Sequence, residues 1–130
     1  MNERITTAGI IIEDKRVLVA KRNSGKTTAG LWEFPGGKNR YGESEEETLK
    51  REFEEELSIS IGVGAFITSF DFTNNETLYH LKAYLVYPES YEFKKSVHSE
   101  FAFVTATELL SLNMVPSDAH IRAIIASEYL

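Results

Sequence analysis

The chain has 130 residues, no cysteine and a formal net charge of −6, from 14 basic and 20 acidic side chains. This length suits one domain over residues 1–130, and 42% hydrophobic with 26% charged residues excludes a disordered or collagen-like chain. The absence of cysteine excludes disulfides and thiolate metal sites, and the acidic balance argues against long nucleic acid as a partner.

The N-terminal residues lack the basic region and apolar core of a signal peptide. No apolar run approaches the roughly 18–20 residues of a membrane span. We therefore expect a cytoplasmic protein that does not insert into a membrane.

The first third of the chain is predicted to form strands. Residues 5–12 and 16–21 are rich in β-branched and other apolar residues, and Glu13-Asp14-Lys15 between them indicates a turn. Glycines among polar residues at 23–30 predict a mobile loop. A short strand at 31–34 then ends at Pro35-Gly36-Gly37.

A helix is predicted over residues 44–57. Ser44 followed by Glu47 forms a capping-box pattern, in which each side chain bonds a free backbone N–H of the first turn. Leu49, Phe53 and Leu57 recur at intervals of four and define an apolar stripe.

The second half of the chain alternates strands and helices. Strands are expected near 59–72, 78–87 and 101–104, with a turn at Asn74-Asn75. Thr105 with Glu108 predicts a capped helix to residue 112, and Ser117 is expected to cap a last helix ending near residue 129. This order predicts an α/β or α+β sandwich with two to three helices, and favours a mixed sheet over a purely parallel one.

The negative charge is local. Residues 43–56 hold eight of the 20 acidic and two of the 14 basic side chains, so this segment is −6 and the rest of the chain is neutral. At roughly 100° per residue, Glu52, Glu55 and Glu56 share an arc beside the apolar stripe. Like charges at these spacings repel unless a cation lies between them, and carboxylates suit Mg²⁺ or Mn²⁺.

An ordinary solvated helix face is the alternative interpretation, and we assign Glu45, Glu46, Glu47 and Glu54 to it. The segment 34–38, Phe-Pro-Gly-Gly-Lys, precedes this helix and could be a plain strand-to-helix turn. Because glycine permits close approach of a ligand, the loop, its lysine and the acidic helix together predict a site for a metal-complexed polyphosphate.

From Gly37, the residues are spaced as Gly-x5-Glu-x7-Arg-Glu-U-x-Glu-Glu-x-Ser-U, where U is a bulky apolar residue. This 23-residue pattern resembles the Nudix box, with Ser58 in place of the family's glycine. The flanking segment 30–38, Gly-Leu-Trp-Glu-Phe-Pro-Gly-Gly-Lys, is similar to the MutT-like branch. The resemblance covers nearly the whole chain.

The resemblance implies an α/β/α sandwich with a mixed sheet, which hydrolyses a nucleoside diphosphate linked to another group X by metal-activated water. It implies Mg²⁺, or Mn²⁺, as the cofactor and a small nucleotide as the partner. It also implies roles for individual residues: Glu52, Glu55 and Glu56 as metal ligands, Glu52 as a candidate base, Gly37 as a carbonyl ligand, Lys38 and Arg22 as phosphate contacts, Arg51 as the residue that orients the carboxylates, and Glu43 as their support.

The serine at position 58 is expected to affect stability rather than activity. The family's glycine is thought to end the helix in a left-handed conformation, in which a Cβ atom costs about 1 kcal/mol.

MutT-like enzymes often draw a further carboxylate from a loop before the late strand. Val97 stands where that residue is expected, so Glu100 is a candidate substitute metal ligand, with a solvated loop glutamate as the alternative. His98 and His80 are interpreted as ordinary surface histidines.

The base pocket is expected to involve Phe34 and Asp118. A carboxylate accepts hydrogen bonds and would favour bases that offer N–H groups, such as guanine or 8-oxoguanine. Alternatively, Phe34 is a core residue and Asp118 complements the positive end of the last helix. Trp32 and Tyr41 are weaker stacking candidates.

The leading hypothesis is hydrolysis of a nucleoside triphosphate, for example an oxidised purine nucleotide such as 8-oxo-dGTP, to the monophosphate and pyrophosphate. A Nudix enzyme for CTP, a nucleotide sugar or ADP-ribose is the close alternative. A non-catalytic nucleotide-binding module is disfavoured because all three helix carboxylates are present. A monomer or a homodimer is expected.

Overall fold

A computed structural model describes residues 2–23 and 28–130. The described residues form seven strands and four helices. The strands are β1 (Asn2–Ile10), β2 (Ile12–Glu13), β3 (Arg16–Arg22), β4 (Trp32–Glu33), β5 (Ile61–Asn74), β6 (Thr77–Pro88) and β7 (His98–Val104). The helices are α1 (Glu45–Leu57), α2 (Ala106–Ser111), α3 (Pro116–Ala119) and α4 (Arg122–Tyr129).

The strands form two sheets, and one of them is mixed. In the first sheet β6 lies between β1, which runs parallel to it, and β5, which runs antiparallel. In the second, β3 pairs antiparallel with β2, β4 and β7. The predicted α/β class with a mixed sheet is confirmed.

Helix α1 forms as the sequence predicts. The Ser44 hydroxyl accepts a hydrogen bond from the Glu47 backbone N–H, and the Glu47 carboxylate accepts one from the Ser44 N–H. The stripe of Leu49, Phe53 and Leu57 is fully buried, in a core with Ile11 and with residues of β3, β5 and β6. Since the stripe is fixed against the sheets, the acidic face beside it is held in place.

A second core lies on the other side of the sheets, under α2 and α4. It includes Ala8, Val19, Leu81, Leu109 and Ile125. The capping box of Thr105 and Glu108 at the start of α2 is confirmed. In the part of the chain that the structure describes, no helix is long and apolar enough to cross a membrane.

The prediction of one last helix capped by Ser117 is wrong. Pro116 is the first residue of the short helix α3 and Val115 occupies the cap position without a side-chain bond, because proline fixes the backbone for a helix start. The chain then turns at His120 and Ile121 before α4, so four helices replace the two or three predicted. Residues 24–27, within the loop predicted at 23–30, lie outside the described residues.

Ser58 ends α1 in the left-handed conformation, with φ 57° and ψ 40°. Its N–H donates to the Glu54 carbonyl, and its side chain is exposed. The position is therefore one that favours glycine, and serine carries a Cβ atom there at a steric cost.

We predict that Ser58→Gly raises the free energy of unfolding by about 1 kcal/mol, because glycine removes the Cβ strain of a left-handed residue. Chemical denaturation measures the change. Ser60→Gly is the control, since Ser60 is also exposed and lies outside the positive-φ positions, and it should gain no stability. Equal changes in both variants would contradict the strain at residue 58.

Candidate active site

A cavity of about 460 Å³ lies between the acidic helix and the loop of residues 34–38. Several predicted site residues line it: Arg22, Phe34, Gly37, Lys38, Glu52, Glu56 and Asp118. Glu33 also lines the cavity, and the sequence analysis gave it no role. The fold thus brings two of the helix carboxylates, Glu52 and Glu56, the glycine loop and the proposed base contacts to one cavity.

The paired glycines let the loop lie between β1 and α1. The loop runs along β1 through hydrogen bonds from the Thr7 and Gly9 N–H groups to the Gly37 and Pro35 carbonyls. Gly36 has φ +155°, and a Cβ atom on it would overlap the Thr7 carbonyl. A Cβ atom on Gly37 would overlap the Glu52 carboxylate. Gly37 is therefore required, because the carboxylate of Glu52, a candidate catalytic residue, occupies the space that a Cβ atom would need.

Arg51 is the centre of a network that holds the helix carboxylates. Its Nε and Nη2 donate to the two Glu43 oxygens at 2.6 and 3.0 Å, its Nη1 donates to Glu52 at 2.8 Å and to Glu55 at 3.3 Å, and Nη2 also reaches the Lys38 carbonyl at 2.9 Å. The side chain is only 17% exposed. A bidentate guanidinium–carboxylate pair of this kind fixes orientation as well as charge.

The contacts of Glu43 stabilise its ionised form. The Arg51 guanidinium is the main cause that lowers the pKa of Glu43 to about 2, with further bonds from the Arg40 N–H and the Thr48 hydroxyl. A Glu43 that is charged at neutral pH keeps Arg51 in place. The geometry thus fits the supporting role that the sequence predicted for Glu43.

The three helix carboxylates differ in exposure. Glu55 is not part of the cavity lining, and its side chain is 45% exposed between Arg51 and Arg40. The side chains of Glu52 and Glu56 are only 14% and 17% exposed. Burial raises the pKa of Glu56 well above its ordinary value, and the negative charges of Glu52 and Glu33 raise it further.

These residues fit a divalent cation. Glu56 Oε1 is buried without a hydrogen-bond partner among the described residues, and a cation would compensate the cost of charging this buried oxygen. Carboxylate oxygens are ligands that Mg²⁺ and Mn²⁺ accept. The Gly37 carbonyl, a predicted ligand, accepts bonds from the Thr7 N–H and hydroxyl at 2.8 and 2.9 Å. Its use as a ligand requires the hydroxyl to turn away.

The interpretation of His98 as a surface histidine is wrong. His98 is fully buried, and its Nε2 lies 2.8 Å from Glu33 Oε2 and 3.8 Å from Glu56 Oε1. Arg22, predicted to contact phosphate, bonds the same Glu33 carboxylate at 3.2 Å. Glu33, Glu56 and His98 place three possible ligand atoms within 4.8 Å of one another. A β-bulge beside His98 hid this arrangement from the sequence pattern.

The remaining predicted residues divide between the cavity and the surface. The Lys38 ammonium lies 5.5 Å from the centre of the Tyr79 ring, at the cavity wall. Glu100 is exposed and lies opposite Lys21 in the β3–β7 pair. His80 is partly exposed, with its ring between Asp71 and Glu3.

Phe34 and Asp118 also line the cavity and are joined by a direct hydrogen bond. The Phe34 N–H donates to Asp118 Oδ2 at 2.8 Å, and both residues are buried. Burial is the main cause that raises the pKa of Asp118 to about 7, with the charge of Glu33 as a smaller cause. Phe34 belongs to the core and also lines the cavity, so the two interpretations of this residue are compatible.

Comparison with known proteins identifies the family. The NUDIX domain model matches residues 3–123. The chain belongs to the Nudix family. It is therefore a hydrolase that acts on substrates with a nucleoside diphosphate linked to another group, and hydrolases of this family depend on divalent metals.

Two curated relatives cover most of the chain. A Mycobacterium tuberculosis protein named "Putative 8-oxo-dGTP diphosphatase 2" is 37% identical over 121 residues, which are 91% of this chain and 84% of that protein. The CTP pyrophosphohydrolase of Escherichia coli K12 is 33% identical over 111 residues, 85% of this chain and 82% of that protein.

Solved structures confirm the Nudix fold. The solution structure of the E. coli ORF135 protein has a TM-score of 0.82 and 30% identity, and the match covers 98% of this chain and 91% of that one. A MutT protein from Methanosarcina mazei Go1 has a TM-score of 0.80 and 25% identity, with 95% and 90% coverage.

We predict that Asp118→Asn flattens the dependence of stability on pH. The unfolded chain releases this proton near pH 3.8 and the folded chain near 7. The folded state therefore binds more protons between these values, and wild-type stability falls as pH rises through this window. Denaturation midpoints at intervals from pH 4 to 8 measure the effect.

Asp14→Asn is the matched control, because Asp14 is exposed and asparagine accepts its positive φ of 49°. Its curve should run parallel to that of the wild type. An Asp118→Asn curve that is also parallel would show that Asp118 titrates normally.

Proposed function

We propose that this enzyme hydrolyses a nucleoside triphosphate to the monophosphate and pyrophosphate with Mg²⁺, and that oxidised purine nucleotides are its leading substrates. One observation carries the proposal. A single cavity joins the helix carboxylates and Lys38 to the buried Phe34–Asp118 pair. A polyphosphate bound at the first end and a base at the second would occupy it as one ligand.

The cation would be held by Glu52 and Glu56, with the more exposed Glu55 as a third candidate ligand. A divalent cation bound there would screen the phosphate charge and lower the pKa of a water molecule that it binds. Mn²⁺ is the expected substitute, since carboxylate ligands accept both ions. We retain Gly37 as a candidate carbonyl ligand and rank Glu100 below it.

The chain's own residues supply charge and position. Arg51 holds one oxygen of Glu52 at 2.8 Å, which leaves its second oxygen available to a ligand or a proton. Glu52 is therefore our candidate for the base that accepts a proton from the attacking water. Lys38 at the cavity wall and Arg22 at the Glu33 pair are the cations proposed to meet the phosphates.

The base end of the cavity offers an acceptor. Asp118 lines the cavity beside Phe34, and an ionised carboxylate accepts hydrogen bonds from N–H groups. Guanine and 8-oxoguanine present more than one N–H group at one edge. The relative named for 8-oxo-dGTP supports the same substrate.

CTP is the second candidate, because the E. coli relative is named for that activity. The cytosine amino group could also donate to Asp118. We further propose a cytoplasmic enzyme, consistent with a chain that has no cysteine, that acts as a monomer or homodimer on small nucleotides rather than on long nucleic acid.

A substrate panel tests the proposal. Wild-type enzyme with Mg²⁺ is incubated with 8-oxo-dGTP, dGTP, CTP, a nucleotide sugar and ADP-ribose, and phosphate and pyrophosphate are measured separately. We expect pyrophosphate from the triphosphates, with the highest kcat/KM for 8-oxo-dGTP. Cleavage of ADP-ribose or the nucleotide sugar alone would overturn the triphosphate assignment.

We predict that Glu52→Gln and Glu56→Gln each lower kcat by at least about a hundredfold, because each removes a charged oxygen from the proposed cation site. Glu54→Gln is the matched control. It lies between them on α1 with an exposed side chain, and should keep the wild-type rate. Rates near that of the wild type in both test variants at saturating Mg²⁺ would contradict the site.

A further inference from the structure

Three side chains of the second sheet face α1 around the carboxylate of Glu33. Glu33 is on β4, Arg22 on β3 and His98 on β7, and β3 pairs with both neighbours. Glu56 of α1 faces this group, with its Oε1 3.8 Å from His98 Nε2. Two carboxylates thus approach one another beside one guanidinium and one imidazole.

A β-bulge turns His98 toward α1. Lys21 pairs with Glu100, whereas Arg22 pairs with His98, so Ser99 is an extra residue in β7. Regular alternation would place His98 on the same side as the exposed Glu100. The extra residue moves it to the other side, where its ring lies 5.6 Å from that of Phe101. Bulges often redirect a side chain next to an active site.

The hydrogen bond from His98 goes to Glu33 and not to Glu56. Nε2 is 2.8 Å from Glu33 Oε2, so the Nε2–H donates to that carboxylate. The 3.8 Å separation from Glu56 is too long for a hydrogen bond. Glu56 Oε1 has no partner among the residues that the structure describes. Because His98 is fully buried, it has little freedom to change acceptors.

We propose that His98 is a positioning residue which, through its Nε2–H bond to Glu33, holds that carboxylate apart from Glu56 and leaves Glu56 Oε1 available to a divalent cation. The inference rests on the proposed function, in which Glu56 binds the cation. In this arrangement His98 itself is not a ligand. Its loss would let Glu33 move and would lower the affinity for the metal.

Mn²⁺ alone is the probe, and EPR of the free ion measures its dissociation constant in the absence of nucleotide. Glutamine can place an amide N–H near the position of imidazole Nε2, whereas asparagine reaches only that of Nδ1. We expect His98→Asn to raise the dissociation constant about tenfold and His98→Gln to stay within about threefold of the wild type. Thermal unfolding shows whether each variant is folded.

His80→Asn is the matched control, because His80 also lies between two carboxylates but is absent from the lining of the cavity. It should leave the Mn²⁺ affinity unchanged. Equal affinities in wild type, His98→Asn and His98→Gln would overturn the proposal. Equal losses in the two folded His98 variants would also overturn it, because they would indicate a packing role or direct ligation by the imidazole.

Variants of Glu33 test the same bond from its other end if His98→Asn does not fold. Glu33→Gln keeps an acceptor for His98 and should retain most of the affinity, whereas Glu33→Leu should lose about tenfold. An equal loss in both Glu33 variants would assign Glu33 itself as a ligand and overturn the positioning role.

The failure of the proposed cation site is distinguishable from the failure of this inference. Glu56→Gln should weaken Mn²⁺ binding whether or not His98 positions Glu33. If it binds Mn²⁺ as the wild type does, the cation site is wrong. If Glu56→Gln loses affinity and His98→Asn does not, only the positioning role is wrong.

Discussion

The geometry of the site depends on one largely buried guanidinium. Arg51 joins Glu43, Glu52 and Glu55 to the carbonyl of Lys38, so it ties the acidic helix to the glycine loop. Without it, three carboxylates on one helix would repel each other and turn toward solvent. With Glu43 ionised as its fixed partner, Arg51 can hold Glu52 beside Gly37, where only a residue without a Cβ atom leaves room.

The negative charge of residues 43–56 is also explained by the geometry of the site. Arg51 compensates part of the acidity of residues 43–56, but Glu56 faces Glu33 and Glu52 and has a raised pKa. A cation bound beside these carboxylates would favour their charged forms, and an anionic substrate would then bind to the cation. The acidic balance, which argues against long nucleic acid, is therefore compatible with a small phosphate ligand that a metal ion bridges.

Local patterns predicted the scaffold well. The capping boxes at Ser44 and Thr105 and the buried stripe of α1 depend on residues close in sequence, so spacing was enough to find them. Contacts between residues that are distant in sequence could not be predicted from spacing. The bond from Phe34 to Asp118 spans 84 residues, and the burial of His98 follows from one extra residue in β7 that reverses the alternation. The end of α1 was anticipated because the family pattern marked position 58 as unusual.

The most direct test of this account is the Mn²⁺ affinity of Arg51→Lys, measured by EPR without nucleotide. Lysine keeps the charge but cannot bond Glu43 in the bidentate geometry while reaching Glu52. Lys50→Arg serves as the control, because Lys50 pairs with Glu46 on the exposed face of the helix. The account predicts about tenfold weaker binding in Arg51→Lys and none of this loss in the control. Wild-type affinity in a folded Arg51→Lys protein would contradict it.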